Sequence, residues 1–394
     1  MSPVKRKAII SPSSELEDQS PTKRFTEKHL EKMKGAGKGK VDREDRQKKS
    51  KVLYLSSGST LLNLACTDKA NGAFKTGTLN NIVGDSQSGK SLLAMSIMAE
   101  ACASPSFKDY RLIYDDAEAA LFFDIENLFG ERLAERIEFP KGVTESGEAT
   151  CSSSVEDFEI TISNLLKEKT PFIYILDSLD SLNSIYDIEY MKEKRTAIEK
   201  GKPLPGSYGM NKAKALSDMF KAHCKALSST KSIIIVLSQI RDNPNQIGYI
   251  KEPYRAGGKA LKFYSTHEIW LNVKNGLSKQ VRGQKHRIGQ IVTAKTKKNK
   301  VTGKVRAVDF PIYYSYGIDD IESNLAFLSM YNEAKTDKQS VKVNIDGQEL
   351  TGTLQKVIKD IEEEGLIIPL RKKVYEVWKE VEGALITERK PKYL

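Results

Sequence analysis

Cysteine and histidine are both scarce, four of each in 394 residues. Cys66, Cys102, Cys151 and Cys224 stand far apart with no CxxC spacing, and His29, His223, His267 and His286 form no ligand pattern with them. A disulfide scaffold and a structural zinc are thereby disfavoured, and the thiols read as small apolar groups in a reducing compartment. Long hydrophobic runs are missing too: nothing approaches the roughly 20 residues that cross a bilayer. The charged N-terminus is not followed by the apolar stretch of a secretory signal. Together these absences predict a soluble, cytoplasmic protein with no membrane partner. No internal repeat is found.

What is abundant is positive charge. Lys and Arg number 63 against 52 Asp and Glu, a formal net charge of +11. Such an excess favours a polyanionic partner, whether DNA, RNA or an acidic membrane surface. The length suits one large core with smaller appendages. Residues 1–50 are rich in Lys, Arg, Glu, Ser and Gly and nearly free of aromatics. A segment of that kind buries too little apolar area to offset its ordering entropy. It reads as a basic, disordered arm, helical at most around Glu27–Lys34, serving either DNA capture or partner contact, or merely as a solvated tail.

From Lys51 the texture alternates. Strands are predicted at Thr78–Val83, Arg111–Tyr114, Phe172–Leu176, Ser232–Leu237 and Glu268–Val273, and helices at Ser91–Ala103, Val155–Glu168 and Asn211–Ser228. Ser154 with Asp157 makes a capping box for the second helix. Alternation of this kind means βαβ units and a mostly parallel sheet covered on both faces, an α/β fold. Gln290–Lys295 and Val305–Tyr314, with a turn from Asn299 to Gly303, read as an antiparallel hairpin at the sheet edge. The expected core spans 51–317. Beyond it, Leu354, Val357, Ile358 and Ile361 form one helical stripe, and Val374, Val377, Trp378 and Val381 another, separated by Pro369. Residues 318–394 are therefore expected to make a small, mainly helical C-terminal domain.

The strongest local signal is Gly84-Asp85-Ser86-Gln87-Ser88-Gly89-Lys90-Ser91, a complete GxxxxGK[ST] phosphate loop between a strand and a helix. Its glycines let successive backbone N–H groups point at phosphate oxygens, and the helix N-terminus adds to that field. Lys90 is expected to reach the β- and γ-phosphates of ATP, and Ser91 to ligate Mg2+. Asp177, at the C-terminal end of an apolar strand, is the second carboxylate such a metal needs, or else a helix cap. Tyr114-Asp115-Asp116-Ala117-Glu118 follows another strand with three acids; Glu118 is the expected base for water, Asp116 the alternative.

Neither a guanine-reading NKxD nor an LSGGQ is present. Instead Ile235-Val236-Leu237-Ser238-Gln239-Ile240-Arg241 is followed by a polar loop and then by Gly257-Gly258-Lys259-Ala260-Leu261-Lys262-Phe263-Tyr264. This series resembles RecA-family recombinases, from about Gly58 to Gly317. The resemblance implies a RecA-like P-loop NTPase core, with Gln239 as the switch between γ-phosphate and a DNA loop. It places a second DNA-binding loop over Arg241–Arg255, with Arg241, Tyr249, Lys251, Tyr254 and Arg255, then Gly257 and Gly258. A first loop falls between Asn183 and Met210, with Tyr208 and Met210; a charged insert from Tyr186 to Lys202 lengthens it. Lys298 and Lys300 resemble the lysine pair that reaches ATP across a protomer interface, although Lys295, Lys297 and Lys304 lie close by. The polymerisation element usual in the family is not recognisable in residues 1–50, and the compact size and divergent flanks resemble bacteriophage recombinases.

The resulting expectation is a DNA-dependent ATPase that forms helical filaments on single-stranded DNA, with ATP at the protomer interface, and pairs it with homologous duplex DNA. Single-strand-binding or mediator proteins are its implied partners, and its place is the nucleoid or, if phage-encoded, the host cytoplasm. A ring-forming helicase on the same core and a non-catalytic paralogue that loads another recombinase are the alternatives.

Overall fold

The structure is a computed structural model; it describes residues 52–122, 124–140, 151–200, 211–241, 254–255, 258–336 and 340–389. The chain enters through strand β1 (Tyr54–Leu55), helix α1 (Thr60–Thr67) and β2 (Phe74–Lys75). The central run is β3 (Thr78–Gly84), α2 (Lys90–Ala103), β4 (Arg111–Asp116), α3 (Ile125–Phe129), α4 (Glu131–Arg136), β5 (Ile137–Glu138), α5 (Val155–Glu168) and β6 (Phe172–Asp177). Then come α6 (Ile185–Glu199), α7 (Asn211–Thr230), β7 (Ile233–Arg241), β8 (Tyr254–Arg255) and α8 (Gly258–Tyr264). A long hairpin, β9 (His267–Val281) and β10 (Gln284–Asn299), leads to β11 (Ala307–Tyr313), β12 (Gly317–Ile318) and α9 (Asp320–Met330). The chain closes with β13 (Ala334–Thr336), β14 (Val341–Ile345), β15 (Gln348–Gly352), α10 (Leu354–Glu363) and α11 (Ile367–Ala384).

The main sheet runs β12-β11-β10-β9-β3-β7-β6-β4-β5, with β8 paired to β7. From β9 to β5 the neighbours are parallel; β9 to β12 are antiparallel. The predicted α/β fold is the observed one, and the hairpin expected at Gln290–Lys295 and Val305–Tyr314 is β10 with β11. Continuous apolar strands are what a sheet covered on both faces requires, because side chains alternate in direction. In β6, Ile173 and Ile175 enter the core with α1 and α2, whereas Phe172, Tyr174 and Leu176 meet α5 and α7 on the other face. In β4, Leu112 and Tyr114 take the first face and Ile113 the second.

Local chemistry sets the helix boundaries. Ser154 accepts from the Asp157 amide while Asp157 reaches back to the Ser154 amide, the predicted capping box. Ser59, Asp319 and Thr353 cap α1, α9 and α10 with one side-chain acceptor each. The charged insert expected as loop folds as α6, capped by Ser184 and burying none of its residues. Residues 334–352 add a three-stranded antiparallel sheet that the sequence reading did not foresee. Pro369 lies in the first turn of α11 rather than between two helices, a position where its missing N–H costs no helical bond.

The boundary expected at 317 falls within β12. Beyond it Val341, Val343, Val357, Ile361, Leu370 and Val374 share one apolar cluster with α1 and α2. Arg306 joins the parts: it lies within 2.7 Å of both Asp68 and Glu382, and its guanidinium faces the Trp378 ring at 5.1 Å. Among the described residues no helix is long and apolar enough to cross a membrane. The arm expected at 1–50 lies outside the described residues.

Candidate functional site

The C-terminal tips of β3, β4, β6 and β7 converge where a parallel sheet presents its ligand site. The loop after β3 turns sharply because of its end glycines. A Cβ on Gly84 would stand 2.2 Å from Ser88 Oγ, and Gly89 has φ +90 with Ile312 Cδ1 2.7 Å from where a Cβ would be. Asp85, Ser86 and Gln87 are exposed and Ser88 is buried. Lys90 opens α2 and is itself buried; its ammonium donates to the carbonyls of Gly84 (3.1 Å) and Asp85 (2.9 Å). Burial holds its pKa below that of an ordinary lysine, against the opposing pull of Asp177, Glu118, Asp180 and Asp85. The loop therefore brings a buried cation to the N-terminus of α2, an arrangement that could hold a polyphosphate.

The two residues expected to hold a metal are in contact: Ser91 Oγ donates to Asp177 Oδ2 at 2.6 Å. Burial raises the Asp177 pKa, while hydrogen bonds from Ser91 and Tyr114 and the charge of Lys90 draw it back and Glu118 pushes it up. A hydroxyl beside one carboxylate is a hard-oxygen donor set, and it fits a Mg2+ ion that takes its other ligands from phosphate and water.

Glu118 sits just past the tip of β4. Its Oε1 accepts from the Gln239 side-chain amide at 2.9 Å and from the Ser178 hydroxyl. The Asp116 carboxylate, in contrast, caps the following turn through the amides of Ala120 (3.1 Å) and Leu121 (3.0 Å). Of the two acids weighed as base, Glu118 is the one that faces Lys90 and Gln239. Gln239 is fixed from behind, since its backbone amide donates to Asp180 Oδ2 at 2.7 Å.

Beyond Gln239 the chain leaves and returns: β8 pairs antiparallel with the end of β7, Ile240 opposite Arg255 and Arg241 opposite Tyr254. The segment expected to grip DNA thus springs from, and comes back to, the strand carrying Gln239. Tyr249, Lys251 and Gly257 of that segment lie outside the described residues, as do Tyr208 and Met210 of the first loop; for Arg241, Tyr254 and Arg255 only the backbone is described. Gly258 begins α8 with φ +60.

Lys298 and Lys300 do not join this cluster in the same protomer. Asn299 pairs with His267 at the opposite end of β9, and both ammonium groups donate to the Phe263 carbonyl at the end of α8, at 2.9 and 2.8 Å. Asn299 between them is buried and donates to the Cys66 carbonyl at 2.9 Å.

Four residues of the site escaped the sequence reading. Tyr114 Oη donates to Asp177 Oδ2 at 2.6 Å, Ser178 and Asp180 hold Glu118 and Gln239, and Gln290 Nε2 braces the phosphate loop through the Gln87 carbonyl at 2.9 Å. Asp180 could have been found from its spacing, three residues after Asp177. Ser178 belongs to the Asp-Ser pair that ends its strand but was given no role there, and Tyr114 and Gln290 carry no motif.

Comparison with known proteins agrees with this geometry. A model of the RecA N-terminal domain matches residues 201–319. Protein RecA of Caulobacter vibrioides is 27% identical over 291 residues, covering 72% of this chain and 70% of that protein. Protein RecA of Deinococcus radiodurans is 25% identical over 288 residues, 73% of this chain and 70% of the relative. Protein RecA of Thermus thermophilus is 24% identical over 286 residues, 72% and 74%. With the phosphate loop, the Glu118–Gln239 pair and the sheet order in place, the chain is similar to RecA proteins over about 72% of its length.

Proposed function

We propose that this protein is a DNA-dependent ATPase that polymerises on single-stranded DNA and pairs it with homologous duplex DNA. The observation that carries the reading is the 2.9 Å bond between Gln239 and Glu118. One amide touches the group that would activate water and also ends the strand from which the expected DNA loop departs.

ATP would lie along the loop from Gly84 to Ser91, its phosphates on the backbone amides and Lys90. Mg2+ would be held by Ser91 and Asp177 and would supply charge neutralisation on the phosphates. Glu118 would take a proton from water as the water oxygen bonds to the γ-phosphorus. The bond from that phosphorus to the β–γ bridging oxygen breaks, giving ADP and phosphate. Gln239 would exchange Glu118 for a γ-phosphate oxygen when ATP is bound, and so hold the DNA loop in its gripping form. Lys298 and Lys300 sit too far from their own phosphate loop for this chemistry and would serve a neighbouring protomer. Hydrolysis would then need assembly.

ATP turnover measured with and without single-stranded DNA tests the proposal. Stimulation by DNA that disappears in Lys90→Ala is the expected result. Equal rates with and without DNA, together with wild-type turnover in K90A, would refute it.

A further inference from the structure

A second residue on β4 bears on the same site. Tyr114 is fully buried, and its ring lies among the apolar side chains between the sheet and α2. Parallel pairing of β4 with β6 sets Tyr114 opposite Ile175 and Asp116 opposite Asp177, so the phenol rises on the same face as Asp177, one pleat back. Its hydroxyl donates to Asp177 Oδ2 at 2.6 Å, the same oxygen that receives Ser91 Oγ at 2.6 Å. A ring packed on all sides has no other rotamer to visit. The donor is therefore rigid, and the carboxylate that accepts from it is held against rotation about its own χ2.

We propose that Tyr114 is a positioning residue, which fixes the Asp177 carboxylate in the orientation that a divalent cation at Ser91 meets. This rests on the nucleotide-site reading given above. Groups that orient a metal's carboxylate from behind contribute to affinity without touching the ion, and their loss typically costs about 10- to 100-fold.

The molecule carries its own control. Tyr174, on the adjacent strand, is equally buried and donates to the buried carboxylate of Asp115 at 2.5 Å. That pair points to the opposite face of the sheet, where Asp115 also accepts the Ser152 amide at 2.8 Å. Tyr114→Phe and Tyr174→Phe each delete one buried phenol-to-carboxylate bond, but only the first touches the metal side.

The experiment titrates Mn2+ into the full chain with the slowly hydrolysed analogue ATPγS, reading free Mn2+ by electron paramagnetic resonance. Y114F is expected to raise the Mn2+ half-saturation about tenfold, Y174F to leave it unchanged, and both to lower the melting temperature by similar amounts. At saturating Mg2+ the ATP turnover of Y114F should return to within about threefold of wild type. An unchanged half-saturation in Y114F overturns the proposal, and so does an equal rise in both variants, which means general loosening. Should Y114F not fold, the substitution is made in the Asp177→Asn background, where no buried charge is left behind. There it must add no further loss, and an additional tenfold weakening overturns the assignment. If the wild-type chain takes up Mn2+ with the analogue and Y114F matches it, only the role of Tyr114 falls. If the wild type takes up none, the nucleotide-site reading falls as well.

Discussion

At the strand tips around Lys90 the buried ionisable side chains are each held by hydrogen bonds within the protein. Lys90 lies on backbone carbonyls, Asp177 between Ser91 and Tyr114, and Glu118 between Ser178 and Gln239. The far part of the β9–β10 hairpin is the opposite case. No acidic residue occurs between Glu268 and Asp309, and Lys279, Arg282, Lys285 and Arg287 are all exposed. In the first region charge is concentrated, opposed and largely buried; in the second it is of one sign and solvated. The contrast teaches where a substitution will be felt. A buried polar network loses several contacts when one member goes, because the partner left behind cannot reach water. An exposed charge is already satisfied by solvent.

The comparison can be broken most forcefully at Glu118. Glu118→Gln keeps shape and removes the basic oxygen, so steady-state ATP turnover should fall by about 10³-fold while nucleotide binding persists. A smaller but still large effect is expected at the buried junction of Arg306. Glu382→Ala removes one of its two carboxylates and should cost about 3 kcal/mol in urea unfolding. Wild-type stability there would mean that a buried cation is no more demanding than an exposed one.

Next in size is a pH effect at His267. Burial pushes its imidazole down to about 4, outweighing the Cys66 carbonyl and Asn299, which favour the charged form. The unfolded chain, with an ordinary histidine, therefore binds the extra proton between pH 6.5 and about 4. Stability from this group is complete well above that window and declines as pH falls through it, by about 1.6 kcal/mol between pH 6.5 and 5. Denaturant unfolding of wild type and His267→Gln at the two pH values checks this; the substituted chain should lose that component. The smallest effect sharpens the contrast from its other side. Lys285→Ala, at an exposed hairpin position, should change unfolding free energy by less than about 0.5 kcal/mol.

Legibility followed the same division. Apolar runs located β3, β4, β6 and β7 to within a few residues, because burial on both faces leaves little choice of side chain. The phosphate loop, Asp177 and Glu118 were singled out because they follow apolar strands, and Gln239 through the family resemblance; the structure puts all of them at strand ends. Tyr114 was not, because in Tyr114-Asp115-Asp116 the sequence does not tell which pleat faces α2. The hairpin beyond Val273 and before Gln290 was invisible for a different reason: its residues are polar on both faces, so no alternation marks a strand. Helix α6 hid in the charged insert because it buries nothing and so has no apolar stripe. The short strands of residues 334–352 fell below the length at which a pattern can be told from chance.

The junction at Arg306 also carries a consequence for how the protein is made. Its guanidinium is nearly sealed from water, yet one of its two carboxylates and the indole it rests on belong to α11, far downstream. As the chain leaves the ribosome, the sheet can assemble around an arginine that has Asp68 beside it but whose second carboxylate has not yet been synthesised. Until Trp378 and Glu382 emerge, that corner has reason to stay hydrated, so closure of this side of the molecule waits for α11.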